Sequence, residues 1–166
     1  MGEQLDCGEV YLHLCDREVA KPRASFYICC QMHWKLSDRA FEKSFADSSL
    51  DPELFDHEAH IRLAWIHIHQ HGLDQAIENI KRQLKQYVKV LGAEDKYNET
   101  LTVAAARAVY HFMLKSKSTT FKNFIAEFPR LKYNFKELID AHYGVDIYRS
   151  AEAKKKYLEP GLLPFD

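Results

Sequence analysis

Ionisable side chains at helical spacing are concentrated in one stretch, Phe55-Asp-His-Glu-Ala-His-Ile-Arg-Leu-Ala-Trp65. His57 and His60 stand three apart, which makes them neighbours on one helix face, and Ile61, Ala64 and Ile68 continue that face inward. Two imidazoles are therefore expected to point at a core. A second stretch, Lys96-Tyr-Asn-Glu-Thr-Leu-Thr102, opens another apolar helix and places Tyr97, Asn98 and Glu99 at its start.

If both openings lie at one end of a helical bundle, three chemistries stay open. The imidazoles of His57 and His60 with the carboxylate of Glu99 make a two-histidine, one-carboxylate set for a divalent metal such as Zn or Fe, with positions left for water. Positive helix ends would keep those histidines neutral, which suits ligation, although the same ends and Arg62 disfavour a cation. That sign favours instead a small anionic ligand, a carboxylate or phosphate, held by helix N-termini, Arg62 and a histidine, with Tyr97, Asn98 and Glu99 in its wall. In the third reading His57, Glu99 and Arg62 form a hydrogen-bonded network that only fixes two helix ends.

Function follows these alternatives. A metal centre would be hydrolase-like or oxygenase-like, with Glu99 or a histidine as base to a bound water. An anion site would make a binding module that reports through the tail at 159–165. A structural cluster would leave an interaction protein, in which Phe121, Phe124 and Phe128 face a partner such as a second copy of the chain. His67, His69 and His71 alternate, but only His67 and His71 share a helix face, and they read as a solvated helix end rather than a metal pair. No Gly-rich phosphate loop, G-x-S-x-G elbow or C-x-x-C pair is present, and no catalytic nucleophile stands out.

The elements that must position these residues are helical. From Ser37 onward the apolar spacing is 3.6-like and start and stop signals recur. Ser37 caps a helix to about Phe45, Asp51-Pro52 marks a short turn, and Asp56 caps a helix that stops at Gly72. Leu73 to Leu91 carries one apolar stripe. Lys96 to Leu114 is apolar nearly all round over Leu101 to Leu114, the expected central post and most buried segment. Shorter helices are expected from Thr119 or Thr120 to Phe128, from Phe135 to Tyr143 behind an Asn134/Glu137 capping box, and from Ala151 to Leu158 behind Ser150. The tail from Glu159 to Phe165 reads as an extended strap. Short links make consecutive helices antiparallel, so the first and third long helices should run parallel and bring His57, His60 and Glu99 into one pocket.

The whole is an all-α bundle of five to seven helices over 36–166. Residues 1–35 differ: Val10 to Cys15 and Phe26 to Cys30 are strand-like runs split by Lys21-Pro22-Arg23, an irregular or weakly β arm. The arm is read as peripheral, an extension with Met32 or Leu36 as alternative starts. Its four cysteines lack zinc-ribbon or redox spacing and are expected to be reduced thiols.

A chain of 166 residues is one domain's worth, and its mixed charges, net -1, argue against a nucleic-acid-coating surface. No apolar run approaches the roughly 18 residues that cross a bilayer. Met1 to Asp6 lacks the basic and apolar regions of a signal peptide, so a cytoplasmic protein is expected.

From about residue 40 to 166 the chain resembles a family of small bacterial helical proteins with no assigned activity. Its pattern is F-x-H-x-x-H-[IVL]-R-L-A-W, K-Y-H-E-T-[IL]-T and S-x-x-A-x-x-x-[WY]-x-x-P-x-L-x-P. The chain supplies Phe55, His57, His60, Arg62, Leu63, Ala64 and Trp65, then Lys96, Tyr97, Glu99, Thr100 and Thr102. Ser150, Ala153, Tyr157, Pro160, Leu162 and Pro164 complete the match. The resemblance implies a helical fold. Where the pattern has a third histidine the chain has Asn98, which removes a nitrogen ligand from any metal set there.

Overall fold

A computed structural model describes residues 32–165, and the arm's strand-like runs and cysteines lie outside them. The described residues are helical, with eight α-helices and no strand. The helices are α1 (Asp38–Ala46), α2 (His57–His71), α3 (Leu73–Val90), α4 (Glu99–Met113), α5 (Phe121–Glu127), α6 (Arg130–Tyr133), α7 (Phe135–Asp140) and α8 (Ala151–Lys155). The start signals act as expected at most of them. Ser37, Asp56, Thr120 and Ser150 each accept a hydrogen bond from a backbone N–H of the turn that follows. Asp51 does the same for a single 3-10 turn at Pro52–Leu54.

Three boundaries differ from expectation, and at the last of them α8 ends at Lys155 rather than Leu158. The third long helix starts at Glu99, not Lys96, because Asn98 is its cap: Oδ1 accepts from Leu101 N at 2.9 Å. The Asn134/Glu137 capping box is not made. Asn134 caps nothing with its side chain, its amide reaches Glu137 at 3.3 Å instead, and α7 ends at Asp140.

The core gathers around α2, α3 and α4. Along α2 every residue from Ile61 to Ile68 is buried, whereas Leu114 at the end of α4 is 61 % exposed. The most continuously buried segment is therefore in α2 rather than Leu101 to Leu114. An aromatic cluster seals α1 to α3: Phe45 lies 4.4 Å from Phe55 and 4.8 Å from Tyr87 between ring centroids, and the Tyr87 hydroxyl donates to Leu50 O at 3.0 Å. Phe121 and Phe124 are buried, and Phe128 packs on Phe112 and Phe124. The α5 aromatics thus face inward, not toward a partner.

Segments at both ends of the described chain complete this core. Around a 3-10 turn at Met32–Lys35, His33 is buried and Trp34 stacks on Phe121 at 5.3 Å. The packed unit therefore takes in residues that the spacing assigned to the arm. At the other end, Asn98 Nδ2 donates to Ile147 O at 2.8 Å, and Thr100 Oγ1 donates to Lys156 O at 2.8 Å while accepting from Leu158 N at 3.0 Å. The buried start of α4 is thus closed by the C-terminal segment. The strap follows, held where Leu162 N donates to His142 O and Phe165 stacks on His142 at 4.0 Å.

A chain begun at Ser37 is expected to be less stable than one begun at Met32 by about 1 to 3 kcal/mol for each of the two carbonyl acceptors that buried Arg62 loses, its pair with Asp38 being kept. Urea unfolding of the two truncations side by side measures the difference. Equal midpoints would show that residues 32–36 are dispensable.

Candidate functional site

The expected meeting of His57, His60 and Glu99 does not occur. His57 and His60 face Ala105 and Val109, in the middle of α4, across a void of about 10 Å³ closed by Ile61, Ala64 and Phe135. That space holds one water at most. Ala105 and Val109 lie six to ten residues beyond Glu99, or about 9 to 15 Å along a helix axis. The short links do make α2/α3 and α3/α4 antiparallel pairs, since Phe55 meets Tyr87 while Lys81 and Lys85 meet Glu99, but the start of α2 packs against the middle of α4 rather than its first turn.

Each imidazole is engaged by backbone. His57 Nε2 donates to Leu131 O at 2.9 Å, and His60 Nδ1 donates to Asp56 O at 2.8 Å while its ring lies 3.8 Å from that of Phe55. Burial lowers the pKa of both, that of His60 to about 3. They are neutral, half-buried histidines.

Arg62 belongs to a different neighbourhood from Tyr97, Asn98 and Glu99. It is 4 % exposed, and Nη1 donates to His33 O at 2.6 Å, Nη2 to Leu36 O at 2.8 Å, and Nε and Nη2 to Asp38 Oδ1 at 2.9 and 2.6 Å. No donor is left for an anion between α2 and α4. Glu99 is held by Lys81 at 2.7 Å, Lys85 at 2.9 Å and the Tyr97 hydroxyl at 2.7 Å. Burial raises its pKa, but those donors outweigh it and hold the carboxyl below its ordinary value. Asn98 is consumed as cap and clamp. The four wall residues expected for one ligand are thus committed to separate structural tasks.

A metal-competent group forms elsewhere. Among the described residues one set of three histidine, cysteine or acidic side chains brings its ligand atoms within 4.8 Å of one another: Glu42 of α1 with His67 and His71 of α2. His67 is not at a solvated helix end, being 1 % exposed. Its Nε2 lies 3.1 Å from Gln83 Oε1, which as an acceptor fixes the ring proton on Nε2 and leaves Nδ1 with a lone pair. Nδ1 is buried and has no hydrogen-bond partner. Burial lowers the pKa of His67, against the opposing effects of Gln83 and Glu42, so the ring is neutral. Gln70 donates to Glu42 Oε2 at 3.0 Å and aims that carboxylate. His71 is exposed and its ring centroid lies 5.9 Å from that of His67. An open groove of about 510 Å³, lined by Ala46, Arg82, Gln83, Lys85, Gln86 and Lys89, adjoins the group through Gln83.

The pair His67/His71 was visible as an i, i+4 face. The burial of His67 was the missing signal, and Glu42 comes from a helix whose docking no local pattern specifies.

Buried neutral histidines make stability pH-dependent. His33 and His60 have folded pKa values of about 4 and 3 against 6.5 unfolded, so below pH 6.5 the unfolded chain binds more protons. Stability is full above that value and falls by about 1.4 kcal/mol per pH unit for each such histidine as pH drops toward the folded values. Urea unfolding between pH 6 and 5 is expected to show this slope, reduced by one histidine's share in His60→Gln. An unchanged slope in that variant would show His60 to be protonated in the fold. No family model, curated protein or solved structure matches the chain, so the geometry alone carries the functional reading.

Proposed function

We propose that the protein binds one divalent transition metal, Zn or Fe, through Glu42, His67 and His71 in the cytoplasm, and that the cluster of His57, His60, Arg62 and Glu99 is framework. The observation that carries this reading is the Nδ1 atom of His67, buried without a partner while its other nitrogen is fixed by Gln83. A buried nitrogen lone pair is costly to leave unmade, and a histidine whose second nitrogen is oriented by an amide oxygen is the usual outer arrangement of a metal ligand.

The set is chemically suited to the ion. Two imidazoles and one carboxylate match Zn and non-haem Fe, and ligand bonds near 2.0 to 2.2 Å would place donors roughly 3.4 Å apart in a tetrahedron. Rotation of exposed His71 closes the remaining gap from the buried side outward. Three protein ligands leave a position for water or for a small ligand arriving along the groove, as in reactive rather than closed structural sites. The motif residues support the framework half of the reading, since each is bonded to backbone or to a counter-charge.

Cobalt(II) titration of the full chain tests this, with Cys7, Cys15, Cys29 and Cys30 replaced by serine to remove thiol ligands. One equivalent is expected to bind with a visible d–d spectrum. His71→Ala and Glu42→Gln, at surface or half-buried positions, should weaken it at least about tenfold, and Gln83→Leu by about 10- to 100-fold although it touches no metal. Identical binding curves for the unsubstituted site and His71→Ala would rule the assignment out.

A further inference from the structure

The groove beside the Glu42, His67 and His71 group has a chemistry of its own. It encloses about 510 Å³ against α3, where Arg82, Lys85, Gln86 and Lys89 recur at helical spacing along one exposed face, and no carboxylate lines it. Lys85 is held by Glu99 at 2.9 Å, and Glu78, one turn before Arg82, is taken by Lys81. Arg82 donates to the Asn79 amide oxygen at 3.5 Å, and among the described residues no carboxylate pairs with Arg82 or Lys89. Two cations without a counter-charge therefore stand about 10 Å apart along the helix axis, on the wall of one concave space.

The groove meets the metal group at Gln83, which lines the one and orients His67 in the other. Burial is the main cause of the low His67 pKa, and the Arg82 charge is among the smaller causes acting in the same direction, so that guanidinium lies within electrostatic range of the ligand set. A divalent ion there would add to the positive charge, since Glu42 is the single carboxylate of the three ligands. Cationic side chains beside an ion with an open position favour an anion as the incoming ligand.

We propose that the ligand of the metal centre is a small organic phosphate, one oxygen of which takes the open position on the ion, with Arg82 on its remaining oxygens and Lys89 adding charge further along the groove. This ligand class presupposes a metal on Glu42, His67 and His71. A phosphate group carries about −1.5 to −2 charge at neutral pH and has three acceptor oxygens, so it bridges an ion and a guanidinium at once. A carboxylate brings less charge and fewer oxygens to the same task. Ala46 and the alkyl stems of Lys85 and Lys89 offer apolar surface to the organic part.

Phenylphosphonate is the probe, because it carries the dianionic group on a bond that does not hydrolyse, and benzoate is its singly charged counterpart. Each is titrated, above the second pKa of the phosphonate, into the Co(II)-loaded full chain with the four cysteines replaced by serine, and read by calorimetry and by the d–d bands. One phenylphosphonate per chain is expected to bind and shift those bands, with benzoate, and phenylphosphonate on the metal-free chain, at least about tenfold weaker. Arg82→Gln should weaken phenylphosphonate about tenfold and Lys89→Gln about threefold, while Co(II) binding stays as tight or tightens, because neither side chain is a metal ligand and each substitution removes a like charge. Both positions are exposed, so folding is not at stake. Absence of Co(II) binding would remove the metal and this ligand with it. Normal Co(II) binding would keep the metal and overturn the phosphate assignment if millimolar phenylphosphonate left the bands unmoved, if benzoate were preferred, or if the Arg82→Gln/Lys89→Gln double variant bound phenylphosphonate as the parent does.

Discussion

The guanidinium of Arg62 sets the register on which the rest is built. It is buried within α2, yet all its bonds go to the segment 33–38 that precedes and opens α1. A lysine could not replace it, since only the planar fork reaches two carbonyls and a carboxylate at once. Asp38 lies one helical turn before Glu42, so the bond that fixes Asp38 on α2 also fixes which face of α1 looks at His67 and His71. Trp34 and Phe41 cover the cation, at 5.4 and 5.0 Å from their ring centroids, and exclude the water that would loosen it.

Charge is handled consistently elsewhere in the molecule. Buried Glu58 meets Lys132 at 2.5 Å, and Glu99 meets two lysines and a phenol. The imidazoles of His57 and His60 avoid the cost by staying neutral and donating to carbonyls. Against that background the Nδ1 of His67 and the Nε2 of His33 are buried imidazole nitrogens without a hydrogen bond, and the His67 atom differs in lying within 4.8 Å of ligand atoms on Glu42 and His71.

Much of this architecture was legible locally. Ser37, Asp51, Asp56, Thr120 and Ser150 mark starts because each needs only its own side chain and the next turn. The Asn134/Glu137 pair carried the same signal and failed, because Pro129 and α6 turn the chain just before it and Asn134 serves as the cap of two short helices at once. The site was less legible. Link length made α2, α3 and α4 look like an up-down-up stack, but Gly72 is the sole residue between α2 and α3, with φ +75, and nothing in its neighbours fixes the angle between those helices. That angle decides whether the start of α2 meets Glu99 or Val109. Glu42 was invisible for the same reason, since its place beside His67 depends on helix docking and not on spacing.

The clamp on α4 has a consequence for how the chain acquires its shape as it is made. Helix pairs α2/α3 and α3/α4 are neighbours in sequence and can associate as they emerge from the ribosome. The buried start of α4 cannot be finished then, because Asn98 and Thr100 take their remaining partners from Ile147, Lys156 and Leu158, which lie 49 to 58 residues further along the chain. Until those residues have emerged, that helix start keeps its polar groups in contact with water. A chain stopped short of Ile147 therefore carries an unsealed core at the start of α4.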